Sequence, residues 1–165
     1  MLWYTMPQEA PGGASANARV AESKEEETKK ALEKVLTPEI IQGLRTLFEK
    51  AGFGRWDIEY GGWIFEYQGS YFLREVPTSA EYHQMTMRLE GSPTWTLVAN
   101  VHTHPNRSGP APSKRDVDNV GSLRADHKGQ PRFVITLHRE GVYVHDFLTG
   151  ITVRALGPNW FQNQK

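Results

Sequence analysis

Hydrophobic residues repeat at helical spacing in the stretch that follows Thr37 and Pro38. A threonine that caps a helix, followed by a proline at the first helical position, is a common start signal. The apolar positions that repeat before Gly52 are Ile40, Ile41, Leu44, Leu47 and Phe48. We therefore predict a helix here that packs one face on the core.

The chain before this helix is polar. Residues 1–22 are rich in glycine, proline and small polar side chains, which cannot bury enough apolar surface to offset the entropy lost on ordering. We predict a disordered tail or linker there. The capping-box pair Ser23 and Glu26 predicts a surface helix that ends near Leu36. The folded domain is expected over residues 23–160.

Beyond Trp56 the apolar pattern becomes that of strands. Trp63–Tyr67 and Tyr71–Val76 flank a Gln-Gly-Ser turn and predict a hairpin. Tyr82–Leu89 alternates well enough for an exposed strand but also suits a loop. The later predicted elements are a strand at 95–99, a helix at 113–124 and strands at 132–137, 142–147 and 151–155. This order predicts an α/β fold, a mixed β-sheet sandwiched by helices.

Composition excludes several kinds of site. The chain has no cysteine, which rules out thiolate zinc sites and cysteine nucleophiles. Its 19 basic and 19 acidic side chains cancel, so no net charge favours nucleic acid or an anionic membrane as a partner. No apolar run reaches the ~20 residues of a membrane span, and the first residues lack the pattern of a signal peptide. We expect a cytoplasmic protein, with secretion by a non-classical route as the alternative.

Two histidines one residue apart follow the strand predicted at 95–99. Side chains at i and i+2 of a strand project to the same side, so the imidazoles of His102 and His104 should converge. After a Gly/Pro-rich loop, Ser113 begins the next helix and places Asp116 in its first turn. Two imidazoles and a carboxylate are the ligand set of a catalytic zinc. Taken alone, His-x-His is weak evidence, and Ser-x-x-Asp is also an ordinary capping box.

Glu59 adds a further part to this pattern. The series Glu-x-x-Gly, His-x-His-Pro and Ser-x-x-Asp resembles the JAMM (MPN+/JAB) metalloprotease family, and the resemblance covers roughly residues 59–147. It implies the MPN/JAB1-like fold, which is similar to that of cytidine deaminases. The motif Glu-x-Gly-Gly-Trp-Ile that begins at Glu59 and the short C-terminal strands look most like the small bacterial branch of the family. That branch includes deconjugating peptidases and domains attached to toxins.

The resemblance implies a role for each matched residue. His102, His104 and Asp116 would bind one Zn²⁺ per chain, and a zinc-bound water has its pKa lowered towards ~7. Glu59 would act as the general base, which takes the water's proton and passes it to the leaving amine. Ser113 would stabilise the oxyanion if its hydroxyl faces the metal, a use that can coexist with capping its own helix.

The implied activity is hydrolysis of a peptide or isopeptide bond. The implied substrate is a protein or peptide, such as a ubiquitin-like conjugate or a toxin or effector polypeptide. Thr103 and Pro105 are expected to shape the site, and Gly61 and Gly62 to let neighbouring backbones approach closely. The loop at 106–112, rich in glycine and proline, is expected to be mobile.

Other titratable residues fit this chemistry less well. Glu75 is the alternative general base because it is acidic and precedes His102, but no Glu-x-x-Gly motif surrounds it. His145 and Asp146 could form a pair that orients a ligand, although a polar pair at a strand end is the more ordinary interpretation. Three histidines without a partner at ligand spacing are predicted to be surface or edge residues: His83, His127 and His138.

Two other functions stay open at this point. A non-catalytic MPN-like interaction module characteristically lacks metal ligands, whereas this chain keeps the ligand set and the base. A metal-dependent phosphoesterase can also contain a His-x-His-Thr opening, but such enzymes need further His or Asp ligands spread along a longer chain.

Overall fold

The computed structural model describes residues 13–76, 94–126 and 131–162. Within these ranges the helices are α1 (Gly13–Val35), α2 (Pro38–Lys50) and α3 (Lys114–Asp126), and a short 3-10 turn, Gly52–Gly54, follows α2. The strands are β1 (Gly61–Tyr67), β2 (Ser70–Val76), β3 (Thr96–Thr103), β4 (Phe133–His138), β5 (Gly141–Asp146) and β6 (Thr152–Leu156).

The strands form one mixed sheet in the order β2-β1-β3-β4-β5-β6. Neighbouring strands are antiparallel except β3 and β4, which are parallel and are connected through α3. The carboxyl ends of this parallel pair lie at the same edge of the sheet, which is the usual position of ligand sites in α/β proteins. The predicted α/β class with a mixed sheet is confirmed, and so are the β1–β2 hairpin and the order of the later elements.

α2 covers one face of the sheet, as its apolar pattern predicts. Thr37 Oγ1 accepts the N–H of Ile40 at 3.2 Å, and Pro38 occupies the first turn. The apolar side of this helix packs against the sheet in the main core, which includes Leu44, Leu47, Phe48, Ile64, Val101, Ile135, Leu137 and Val144.

α1 begins earlier than the sequence predicts. It starts at Gly13 rather than at Ser23, so residues 13–22, predicted to belong to a tail, form its first turns. All described side chains before Thr28 are exposed. Alanine-rich sequence extends an existing helix at little cost, which explains the early start of α1. Only the last turns of α1 contribute to the core, through Leu32 and its neighbours.

The opposite face of the sheet carries polar side chains beside the parallel pair. Alternation along β3 points Asn100 and His102 to this face, and the register of β3 with β4 places Thr136 and His138 on it as well. All four residues are buried. The first turn of α3 lies against this face, because Asp116 contacts His102.

Several predictions fall outside the described residues: the strand or loop at 82–89, the first part of the tail at 1–12, and the positions of His83 and His127. None of the described helices combines the length and apolar character that crossing a membrane requires.

Candidate metal centre

Three polar atoms meet at the carboxyl end of β3. The Nε2 atoms of His102 and His104 lie 3.1 Å apart. Asp116 Oδ2 lies 3.2 Å from Nε2 of His102 and 3.1 Å from Nε2 of His104. The structure thus brings together the three residues that the sequence predicts as metal ligands, and this group could bind a metal ion.

Local structure explains why the three side chains converge. β3 ends at Thr103, and the N–H of His104 continues the strand pairing by donating to the Leu137 carbonyl at 2.8 Å. At the start of α3, the N–H of Ser113 donates to Asp116 Oδ2 at 2.9 Å, and the N–H of Asp116 donates to Ser113 Oγ at 3.1 Å. This is the predicted capping box. Ser113 Oγ acts in it as an acceptor, which does not use its hydroxyl hydrogen.

The hydrogen-bond partner of Nδ1 in each imidazole determines which ring nitrogen carries the hydrogen. Nδ1 of His102 lies 3.1 Å from Asn100 Oδ1, and Nδ1 of His104 lies 2.9 Å from the Gly109 carbonyl oxygen. Both oxygens can only accept, so each Nδ1 donates its hydrogen and each neutral ring keeps its lone pair on Nε2. The lone pairs of both rings and of the Asp116 carboxylate therefore point into the same space.

Such a convergence of lone pairs is unfavourable unless a cation lies between them. A tetrahedral ion with ligand distances of about 2.0–2.1 Å holds its ligand atoms about 3.3–3.4 Å from one another. The separations in this group are 3.1–3.2 Å, close to that value. The side chains of His102, His104 and Asp116 are 8%, 9% and 23% exposed, so the group is largely shielded from bulk water. The residues present fit a small divalent cation.

Without a metal ion, a proton can take its place between the three side chains. Burial raises the pKa of Asp116, but the hydrogen bonds that its carboxylate then accepts from His102 and His104 outweigh it and hold that pKa well below its usual value. Burial lowers the pKa of His104, but its hydrogen bond with Asp116 and the charge of Glu59 contribute to a net rise. The Asp116 carboxylate is therefore ionised at neutral pH, as a metal ligand must be.

Strand pairing brings the neighbour of Glu59 to the end of β3. The N–H of Tyr60 donates to Thr103 Oγ1 at 2.9 Å, and the N–H of Thr103 donates to the Tyr60 carbonyl at 2.8 Å, which extends the antiparallel pairing of β1 and β3. An extension of this register by one residue would set Glu59 opposite His104. Opposite residues of paired strands point to the same face of a sheet. The half-buried Glu59 carboxylate interacts electrostatically with His104, in agreement with that position.

The loop between β3 and α3 has defined contacts where its composition predicts mobility. The N–H of Asn106 donates to the Gly54 carbonyl at 2.7 Å. Arg107 Nε lies 2.8 Å from Asp57 Oδ1. These contacts join the loop to the segment that leads from α2 to Glu59. The loop that precedes Asp116 and the segment that precedes Glu59 therefore hold each other in place.

The remaining predicted residues lie away from the group. Glu75, the alternative base, is in β2 and pairs with Lys50 at 2.6 Å, with β1 between β2 and β3. Asp146 lies opposite the first residue of β4, at the other end of the sheet, and pairs with Arg132. The prediction that His138 is a surface or edge residue is wrong, because β4 is a central strand and this side chain is completely buried.

Asn100 is a site residue that the sequence interpretation did not single out. Its side chain accepts the Nδ1 hydrogen of His102. The signal was present, because Asn100, His102 and His104 follow one another at the period of two that puts side chains on one face of a strand.

Comparisons of the chain with protein-family models, with curated proteins and with solved structures find no match. The fold and the site alone therefore define the class of protein. It is an α/β protein with a six-stranded mixed sheet and a largely buried His-His-Asp group that could bind a metal ion.

Proposed function

We propose that the chain is a zinc-dependent hydrolase of the JAMM/MPN+ type that cleaves a peptide or isopeptide bond. The observation that carries this proposal is the convergence of the His102 and His104 lone pairs and the Asp116 carboxylate, with the charge of Glu59 near enough to act on His104. Imidazole and carboxylate ligands suit zinc, and three protein ligands leave one position for water, as in catalytic rather than structural zinc sites.

In this proposal the residues divide the chemistry between them. Zinc, when bound, supplies a Lewis acid that makes a water molecule a nucleophile at neutral pH. Glu59 accepts a proton from that water as its oxygen bonds to the carbonyl carbon, and returns the proton to the amine nitrogen as the C–N bond breaks. Ser113 donates its hydroxyl hydrogen to the substrate oxygen on which negative charge develops. The Glu59 carboxylate is regenerated at the end of the cycle.

Elemental mass spectrometry of the purified protein tests the metal centre. We expect about one zinc per chain in the native protein. His102→Ala and Asp116→Ala should lose it, because each removes a ligand. His145→Ala is the matched control, since His145 contacts Thr152 on the β5–β6 pair away from the group and should leave the zinc content unchanged. A native chain that contains no zinc and takes none up on titration would overturn the proposal.

The reaction is tested with the zinc-loaded protein on a fluorogenic peptide library and on ubiquitin-like conjugates, with a toxin or effector polypeptide as a further substrate class. Zinc-dependent release of a peptide or an amine supports the proposal. Efficient hydrolysis of a generic phosphodiester instead would favour a phosphoesterase. Zinc binding without hydrolysis of any of these would favour a non-catalytic interaction module.

A further inference from the structure

The loop between β3 and α3 presents three consecutive carbonyl oxygens to the sheet, and each accepts a hydrogen bond from a side chain. We call these oxygens the carbonyl row. The pairs are Ser108 O with His138 Nε2 at 3.0 Å, Gly109 O with His104 Nδ1 at 2.9 Å and Pro110 O with Thr136 Oγ1 at 2.7 Å. The middle oxygen therefore contacts a candidate metal ligand, and both outer oxygens contact β4.

His138 is fixed as a donor to the carbonyl row. Its Nδ1 accepts the N–H of Glu140 at 3.1 Å, so the hydrogen of the neutral ring lies on Nε2, which faces the Ser108 carbonyl. Burial lowers the pKa of His138 and keeps the ring neutral. The backbone is held as well, because Trp160 Nε1 donates to the His138 carbonyl at 2.8 Å. The ring thus has little freedom to leave this position.

Thr136 is fixed in the same way from the neighbouring position on this face. Its side chain is completely buried, and its hydroxyl donates to the Pro110 carbonyl. Thr136 and His138 bind the carbonyls on either side of Gly109, so they determine where the Gly109 oxygen lies. That oxygen in turn keeps the hydrogen of His104 on Nδ1 and the lone pair on Nε2.

We propose that Thr136 and His138 are positioning residues of the metal centre, which act on His104 through the Gly109 carbonyl. This role rests on the proposed metal binding. Thr136 and His138 contact the loop carbonyls and not the Nε2 or Oδ2 atoms that would bind the metal. Groups that orient a metal-ligating histidine through its second nitrogen commonly change metal affinity by 10–100-fold when they are removed. A residue that only stabilised the loop would change the stability of the metal-free protein and leave the affinity unaltered.

Zinc affinity, measured by competition with a chromophoric chelator, separates these roles. Thr136→Val keeps the shape of the side chain and removes the donor, and we expect it to weaken zinc binding about 10-fold or more. Thr136→Ser keeps the hydroxyl and should bind zinc nearly as the native chain does. Thr28→Val is the matched control, because Thr28 is an equally buried threonine that donates to Asp146 instead. It should lower the melting temperature without changing the zinc affinity.

His138→Leu provides an independent test at the other end of the carbonyl row. It removes the donor to Ser108, and we expect weaker zinc binding and an altered d–d absorption spectrum of the Co²⁺-substituted protein. Circular dichroism of the metal-free variants checks that each is folded. Native zinc affinity in folded Thr136→Val or His138→Leu, or an equal loss of affinity in Thr28→Val, would overturn the inference and leave the proposed function intact. A native chain without any zinc affinity would overturn both.

Discussion

Glu59 is distant from the metal group in the sequence, and its neighbour Tyr60 pairs with the last residue of β3. The hydrogen bonds between Tyr60 and Thr103 hold the start of β1 against the end of β3, and the charge of Glu59 acts on His104. The role proposed for Glu59 depends on its basicity and not on its size. Replacing the carboxylate by an amide of the same shape therefore isolates the proton transfer from the packing.

Glu59→Gln should lower turnover of the zinc-loaded protein by about 10²-fold or more. The zinc content should remain native, because the amide cannot accept a proton from water but the ligands are unchanged. The measurement is the initial rate on a peptide or conjugate that the native protein cleaves, with zinc content determined on the same sample.

Glu75→Gln is the matched control for this substitution. Glu75 undergoes the same chemical change but lies in β2 against Lys50, so its replacement should leave turnover near the native rate. An unchanged rate in Glu59→Gln, or an equal loss in Glu75→Gln, would exclude Glu59 as the general base.

The candidate ligands could be predicted from the sequence because their arrangement is local. The strand period brings His102 to His104, and the capping box places Asp116 in the first turn of its helix. The residues proposed to orient His104, unlike Asn100 beside His102, depend on which strands are neighbours. The contribution of Thr136 and His138 exists only because β4 pairs in parallel with β3, and a pairing between distant segments leaves no local pattern in the sequence.

At the scale of elements, the approach of β1 to β2 requires a glycine next to the site. A Cβ atom built on Gly62 would collide with the carbonyl oxygen of Arg74 in β2. The strands cannot separate without breaking their hydrogen bonds. The close approach expected for Gly62 from the sequence is therefore present, and it involves the neighbouring strand.

Gly62→Ala should lower the free energy of unfolding by about 1–3 kcal/mol, the usual cost of adding a methyl group to a filled space. Urea denaturation measures this change. Gly157→Ala is the control, because a Cβ atom there meets no other atom within 4 Å, and its stability should stay near native. Equal stability of the two variants would show that β1 and β2 do not constrain this position.

The start of a helix could be predicted where a capping side chain or a proline marks it, and it was missed where the sequence has no such signal. Thr37 and Pro38 mark the start of α2, and the structure agrees. The described side chains of α1 before Thr28 are all exposed, so helix propensity rather than packing accounts for this part of the helix. The loop after His104 was predicted to be mobile because its glycines and prolines favour loops, but its carbonyl groups are bound by side chains that come from another strand.

At the scale of the whole molecule, a buried polar cluster joins α1 to the sheet. Thr28 Oγ1 donates to Asp146 Oδ2 at 2.6 Å, and the guanidinium of Arg132 binds both oxygens of the same carboxylate at 3.0 Å. The N–H of Leu148 donates to Asp146 Oδ1 at 2.9 Å. The one carboxylate therefore connects α1, the start of β4 and the end of β5. His145, next to Asp146, contacts Thr152 on β6. The pair of His145 and Asp146 therefore belongs to the sheet and not to the metal group.

Asp146 links this cluster to the pH dependence of stability. Burial raises the pKa of the Asp146 carboxyl, but hydrogen bonds from Arg132 and Thr28 outweigh it and hold the pKa below its usual value of about 3.9. A group whose pKa is depressed in the folded state stabilises that state fully above the pKa of the unfolded chain. The contribution is lost as the pH falls through the pKa of the folded protein.

Asp146→Asn should therefore lower the free energy of unfolding by about 3 kcal/mol at neutral pH, because it leaves the Arg132 guanidinium without its buried carboxylate. The difference from the native protein should begin to shrink as the pH falls below about 4, where the carboxyl of the unfolded chain takes up a proton, and it should continue to shrink until the pH has passed the lower pKa of the folded protein. Urea denaturation over this pH range measures both effects. Asp118→Asn is the control, since its pair with Lys114 is exposed and should contribute little at any pH. A constant difference between native and Asp146→Asn proteins at every pH would show that the loss reflects packing and not the charge of the carboxylate.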